Sequence, residues 1–173
     1  MTTTESPALT ADDVDLSVDV GPLHLANPVM TASGTAGLGL EMEPFWALSG
    51  LLNSIGLPNR GIEHFVSEAL PRLAGKASCL VVNIAGTCTG EFGELAARLD
   101  GLPGVGALEL NISCPNVEGG DLPFGRDPDV VFRLVCDVRE ASSLPIITKL
   151  SPNVSDIAAI ARAAKDAGSD AFS

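Results

Sequence analysis

The chain has 173 residues, enough for one domain with a substantial core. At 46% apolar and 18% charged it is not a disordered chain, and no apolar run nears the roughly 20 residues of a bilayer span. A formal net charge of −12 argues against general nucleic-acid binding, although a locally positive site can still take an anionic substrate.

The opening MTTTESPALTADDVD is acidic and polar, unlike a secretory leader. Residues 1–13 are expected to form a loose, disordered tail ahead of a single domain over residues 14–173. The cysteines Cys79, Cys88, Cys114 and Cys136 form no CxxC pair or Cys/His cluster, so no metal site is expected. Reduced thiols without an export signal fit a cytoplasmic setting. His24 and His64 are isolated and receive no role.

Val14 to Val20 alternates apolar and acidic residues, turns at Gly21-Pro22, and returns through Leu23-His24-Leu25, predicting a hairpin over residues 14–25. Residues 28–32 read as a short buried strand ending in the small-residue run Ser33-Gly34-Thr35-Ala36-Gly37. That run lacks the GxGxxG order of a dinucleotide fingerprint, yet lets a backbone approach a ligand closely. A short helix is expected over residues 43–48, then a loop from Gly50 to Asn59. Gly61 to Leu73 carries Ile62, Phe65, Val66, Ala69, Leu70 and Leu73 on one helical face.

Beyond Leu73 strands and helices alternate. Strands are predicted near residues 79–85, 106–113, 145–150 and 169–173, and helices near 89–99, 127–141 and 155–167. Asp127-Pro128 is an N-cap followed by proline at N1, and Gly168 suits a helix C′ position. This alternation means a parallel sheet wound by right-handed crossovers, met by both (β/α)8 barrels and open doubly wound sheets. Asn83, Asn111 with Cys114, and Lys149 all fall at the carboxyl ends of successive strands, which fits a barrel top better than a single crevice.

The strand ends carry the chemistry. Glu109-Leu110-Asn111-Ile112-Ser113-Cys114-Pro115-Asn116 takes an apolar strand into two amides, a hydroxyl and a thiol. A thiol there can serve as base or nucleophile once its pKa is moved towards neutrality; alone, the tripeptide SCP reads more readily as a buried cysteine before a turn, and it is the matching chemistry at the other strand ends that favours the functional reading. Lys149 interrupts the apolar run IITKL, so it either pairs with Glu109 on the next strand or faces an anionic or electron-rich ring. Asn83 and Asn111 offer donors and acceptors to a heterocycle, or satisfy loop backbone. Gly119-Gly120 marks a loop that could close over a substrate.

Together NISCPN, KLSPN beginning 35 residues after its cysteine, NSIGLPN, VNIAG and TASGT resemble the dihydroorotate dehydrogenases, from about Val14 to the end. The resemblance implies a (β/α)8 TIM barrel with FMN at the carboxyl face, oxidising dihydroorotate to orotate in de novo pyrimidine (UMP) synthesis. It implies Cys114 as the base for the C5 proton, while hydride passes from C6 to FMN. A cysteine here is similar to the soluble class 1 enzymes, whereas the membrane-associated class 2 enzymes carry serine. Asn53, Ser54, Ile55, Gly56, Leu57, Asn111 and Asn116 would bind substrate. Ala32, Ser33, Gly34, Asn83, Asn111 and Lys149 would bind FMN, with Lys149 near its N1–C2 side. VEGGDLPFG is most similar to class 1B, whose catalytic subunit passes electrons to a partner carrying FAD and an iron–sulfur cluster and on to NAD. The class 1A homodimer using fumarate is the second reading. A dihydropyrimidine dehydrogenase-like flavoenzyme and an inactive remnant are the alternatives in function.

Two departures accompany the resemblance. Leu48-Ser49-Gly50 runs straight into Leu51-Leu52-Asn53, where the family has a strand ending in a ligand-contacting lysine and a long loop; roughly 25–30 residues have no counterpart. The chain is also shorter than the roughly 250 residues of a full barrel, and only five of eight strands can be counted. Such an incomplete barrel is expected to bind FMN weakly or not at all.

Overall fold

The computed structural model describes residues 14–30, 52–53, 60–76, 79–113 and 124–173. β1 (Val18–Val20) and β2 (Leu23–Leu25) form the expected antiparallel hairpin, with Val18 opposite Leu25 and Val20 opposite Leu23. Five parallel strands follow: β3 (Leu52–Asn53), β4 (Leu80–Ile84), β5 (Ala107–Asn111), β6 (Ile146–Lys149) and β7 (Ala171–Phe172). Their order across the sheet is their order along the chain. A doubly wound sheet reverses its order at a switch point, and no reversal occurs among the described strands. The winding is that of a barrel, present in part.

Helices cover one face of this sheet. The first runs through α1 (Ile62–His64), a π-helical stretch Phe65–Ala69 and α2 (Leu70–Leu73). Pro71 has no N–H to give, and the ladder widens in the turn before it, so that the Leu70 N–H reaches the Phe65 carbonyl. α3 (Thr89–Leu99), α4 (Pro128–Ala141) and α5 (Ile157–Asp166) follow. The Asp127 carboxylate accepts the N–H of Asp129 at 2.9 Å and of Val130 at 3.4 Å, and Asp156 accepts that of Ala159 at 2.9 Å. Gly168 ends α5 at φ +106°, a conformation that disfavours any side chain.

Period-two alternation sorts the strand residues. Leu80, Val82 and Ile84 of β4, with Leu108 and Leu110 of β5, join the helix-side core around Phe65, Phe92 and Leu134. Val81, Ala107 and Ile147 point the other way and meet Leu23 and Leu25 of the hairpin. The hairpin therefore covers the amino-terminal half of the inner face. Burying its two leucines contributes roughly 1.5–3 kcal/mol each, before chain entropy is charged against it.

Several boundaries differ from the sequence reading. The first strand starts at Val18 rather than Val14: Val14 and Leu16 are exposed, and among the described residues the pairing with Leu23–Leu25 begins at Val18. The stretch from Gly50 to Asn59 is not all loop: Leu52–Asn53 pairs in parallel with Leu80 and Val81. Two residues give no periodicity, so only the tertiary pairing defines β3. The tail 1–13, most of the strand predicted at 28–32, and the helix at 43–48 lie outside the described residues.

Candidate active site

The inner face turns polar towards the carboxyl ends of the strands. Cross-strand register sets Asn83 of β4 beside Glu109 of β5, and Asn111 of β5 beside Lys149 of β6. The alternation E-L-N puts Glu109 and Asn111 on one face, above Ala107 and the hairpin. Three of the expected groups, Asn83, Asn111 and Lys149, thus share one face at one end of the sheet.

Their hydrogen bonds decide what each amide still offers. Asn83 is 1% exposed and Glu109 4%. Asn83 Nδ2 donates to Glu109 Oε2 at 2.5 Å, and the Ser173 hydroxyl donates to Glu109 Oε1 at 2.7 Å. The Ser113 hydroxyl donates to Asn111 Oδ1 at 2.8 Å. Neither amide spends these bonds on loop backbone, the structural alternative read from sequence. Among the described residues, Asn83 keeps its carbonyl as an acceptor and Asn111 keeps its Nδ2 as a donor. An acceptor, a donor and the Lys149 ammonium along one edge fit a ring whose rim alternates N–H and C=O. They fit FMN in that sense.

The loops at this end are tied down locally. Glu91 accepts the Thr87 N–H at 2.6 Å and the Thr87 hydroxyl at 3.0 Å. These bonds hold the Glu91 carboxyl below its ordinary value and fix the turn that follows Asn83, with Glu91 at N3 of α3 reaching back as in a capping box. After β5 the chain returns through a 3₁₀ turn, Phe124–Arg126, whose Gly125 N–H bonds Ile112 O at 3.2 Å. Burial pushes the half-buried Cys79 and Cys136 thiols up, which disfavours the reactive thiolate. His24 bonds Asp19 at 2.7 Å on the exposed hairpin, away from the polar strand ends. A cavity of about 320 Å³ lies between Gly61, Ile84, Glu91 and Arg98. It opens on the helix side of β4 and touches none of the inner-face groups.

Ala32, Ser33, Gly34, Ser54, Ile55, Gly56, Leu57, Cys114 and Asn116 lie outside the described residues, as does Gly119-Gly120; for Asn53 the strand position is described. The sequence reading gave Glu109 only as a partner for Lys149 and gave Ser173 no role. The signal for Glu109 was available in its two-residue spacing from Asn111.

Fold and strand-end chemistry define a partial (β/α)-barrel protein whose inner-face polar groups gather at the carboxyl edge. Against solved structures, the carboxyl transferase domain of Rhizobium etli pyruvate carboxylase, with pyruvate, matches at TM-score 0.54 and 20% identity over 70% of this chain and 20% of that one. The same domain with 3-bromopyruvate matches at TM-score 0.55 and 19% identity, over 70% of this chain and 20% of that one. These likenesses concern the barrel fold alone.

The dihydroorotate dehydrogenase family profile matches residues 44–173, and the chain belongs to that family. It is 44% identical over 188 residues to the dihydroorotate dehydrogenase B (NAD(+)) catalytic subunit of Desulforudis audaxviator, covering 92% of this chain and 61% of that protein. The corresponding subunits of Geotalea uraniireducens and Geobacter sulfurreducens are each 43% identical over 187 residues, with the same coverage. The chain thus spans about three fifths of these relatives' length. The 188 aligned positions take up 92% of this chain, about 159 residues, so about 29 positions of the relative have no counterpart here. That agrees with the internal shortening read from the sequence.

Proposed function

We propose that this chain carries the flavin- and substrate-facing part of a class 1B dihydroorotate dehydrogenase catalytic subunit, oxidising dihydroorotate to orotate in pyrimidine synthesis. The observation that carries the reading is the alignment of Asn83, Asn111 and Lys149 on one inner face at the strand carboxyl ends, in a chain of this family. Bound FMN supplies the acceptor for the hydride that leaves C6 of dihydroorotate. Cys114 removes the C5 proton, in the role the family motif NISCPN gives it. Lys149 places a positive charge beside the ring and favours its electron-rich state. Asn83 accepts a hydrogen bond from the ring edge; Asn111 and Asn116 orient substrate, with Asn53, Ser54, Ile55, Gly56 and Leu57 around its carboxylate and ring. Ala32, Ser33 and Gly34 approach the flavin through small side chains and backbone. A partner subunit carrying FAD and an iron–sulfur cluster would take the electrons on towards NAD; the relatives' names, catalytic subunits of an NAD(+) enzyme, support a second subunit. A cytoplasmic setting accords with the free thiols of Cys79, Cys88 and Cys136.

Anaerobic mixing with FMN and dihydroorotate tests this reading. In a form with the relatives' full length, dihydroorotate is expected to bleach the flavin band, and Cys114→Ala to abolish bleaching while flavin still binds. Bleaching that persists in Cys114→Ala removes the thiol from the base role. Bleaching by dihydrouracil in place of dihydroorotate points to the dihydropyrimidine dehydrogenase alternative.

A further inference from the structure

The geometry points to Glu109 as a positioning residue that sets Asn83 to accept, and not donate, at the flavin edge. The inference rests on the functional reading above and adds a residue to it. Glu109 sits in the middle of β5, 4% exposed, on the face that carries Asn83, Asn111 and Lys149. One carboxylate oxygen takes Asn83 Nδ2 at 2.5 Å, the other the Ser173 hydroxyl at 2.7 Å. The three groups come from β4, from β5 and from the residue after β7, so the carboxylate spans the face that the ring would lie over.

With Asn83 Nδ2 donating to one Glu109 oxygen and the Ser173 hydroxyl to the other, both oxygens act as acceptors, and the flipped amide would set the Asn83 oxygen against an acceptor while turning its NH₂ towards the ligand. At 1% exposure Asn83 has little water to pair with instead, so leaving either end unmatched is costly. The consequence is selectivity for a ring that offers an N–H to Asn83, as the imide edge of an isoalloxazine does.

The test compares FMN with its N3-methyl derivative, which lacks that N–H, by flavin fluorescence titration of the full chain. Wild type is expected to bind FMN about tenfold or more tightly than the methylated form, the ratio that one unmade buried hydrogen bond gives. Glu109→Met should shrink the ratio towards one, and Glu109→Gln, which retains an acceptor oxygen, should restore most of it. A purely structural role would weaken both flavins equally and leave the ratio intact, and that result overturns the inference. An independent readout needs no variant: the Asn83 side-chain NH₂ in the flavin-free chain should give two resolved NMR resonances, one strongly protected from exchange. Fast exchange of both protons also overturns it. Absence of any flavin binding by wild type overturns this inference, whereas the functional reading falls only if a form with the relatives' full length also fails to bleach with dihydroorotate.

Discussion

Replacing Arg139 with alanine tests how the strands that carry the site are held in place. Arg139 lies near the end of α4, its side chain about one third exposed. Nε and Nη2 donate to Gly168 O at 3.2 and 2.8 Å, and Nη1 donates to Leu144 O at 3.0 Å. Nη2 also meets Asp170 Oδ2 at 2.6 Å, and that same oxygen accepts the Ile146 N–H at 2.8 Å. One guanidinium thus ties a helix end to the entries of β6 and β7, the strands that lead to Lys149 and Ser173. Fully buried, each bond to the charged group would contribute about 1.5–3 kcal/mol. At one third exposure water replaces part of this, and an exposed ion pair alone contributes about 1 kcal/mol or less. The expected loss for Arg139→Ala is about 2–3 kcal/mol, read as a lower urea midpoint at unchanged slope. A double-mutant cycle with Asp170→Asn should give a coupling of about 1 kcal/mol. A loss under about 0.5 kcal/mol, the range of an unremarkable surface change, refutes the reasoning.

Two further predictions follow from the caps and loops. Asp127→Ala removes the acceptor for two N–H groups and should lower stability by about 1 kcal/mol, with Asp127→Ser restoring most of it in the same unfolding assay. Asp100 caps the end of α3 and accepts from the Ser142 hydroxyl and the Ser143 N–H, which hold its carboxyl below its ordinary 3.8. A lowered folded-state value means the contribution is complete above pH 3.8 and disappears as pH falls through the lower folded value. Asp100→Asn should therefore narrow its gap to wild type in that acid range and show its full deficit at neutral pH; a gap independent of pH contradicts the assignment.

Much of this architecture was legible because local signals and tertiary demands agreed. Asp127-Pro128 announced α4 through capping chemistry alone, and the helix begins where that pair predicts. The all-buried run of β4 announced a strand covered on both faces. Asn83, Asn111 and Lys149 stood out because polar groups inside apolar strands need a reason. What stayed hidden depended on neighbours distant in sequence. β3 is two residues long and owes its existence to pairing with Leu80 and Val81. The π-helical turn before Pro71 was masked by an apolar face that suits an ordinary helix. The choice between barrel and open sheet needed the strand order, which periodicity does not encode. Glu109 could be seen to face the site, but that it meets Asn83 and Ser173 follows from cross-strand register and side-chain geometry.

The central claim is that the polar carboxyl end of the inner face receives a flavin ring. An FMN titration of the isotope-labelled chain, followed by NMR, tests it most directly. The account predicts weak, saturable shifts centred on Asn83, Asn111 and the Lys149 side chain, with Leu23 and Leu25 at the opposite end unmoved. Shifts confined to the helix side of β4, around Ile84 and Arg98, or none up to the solubility of FMN, contradict it.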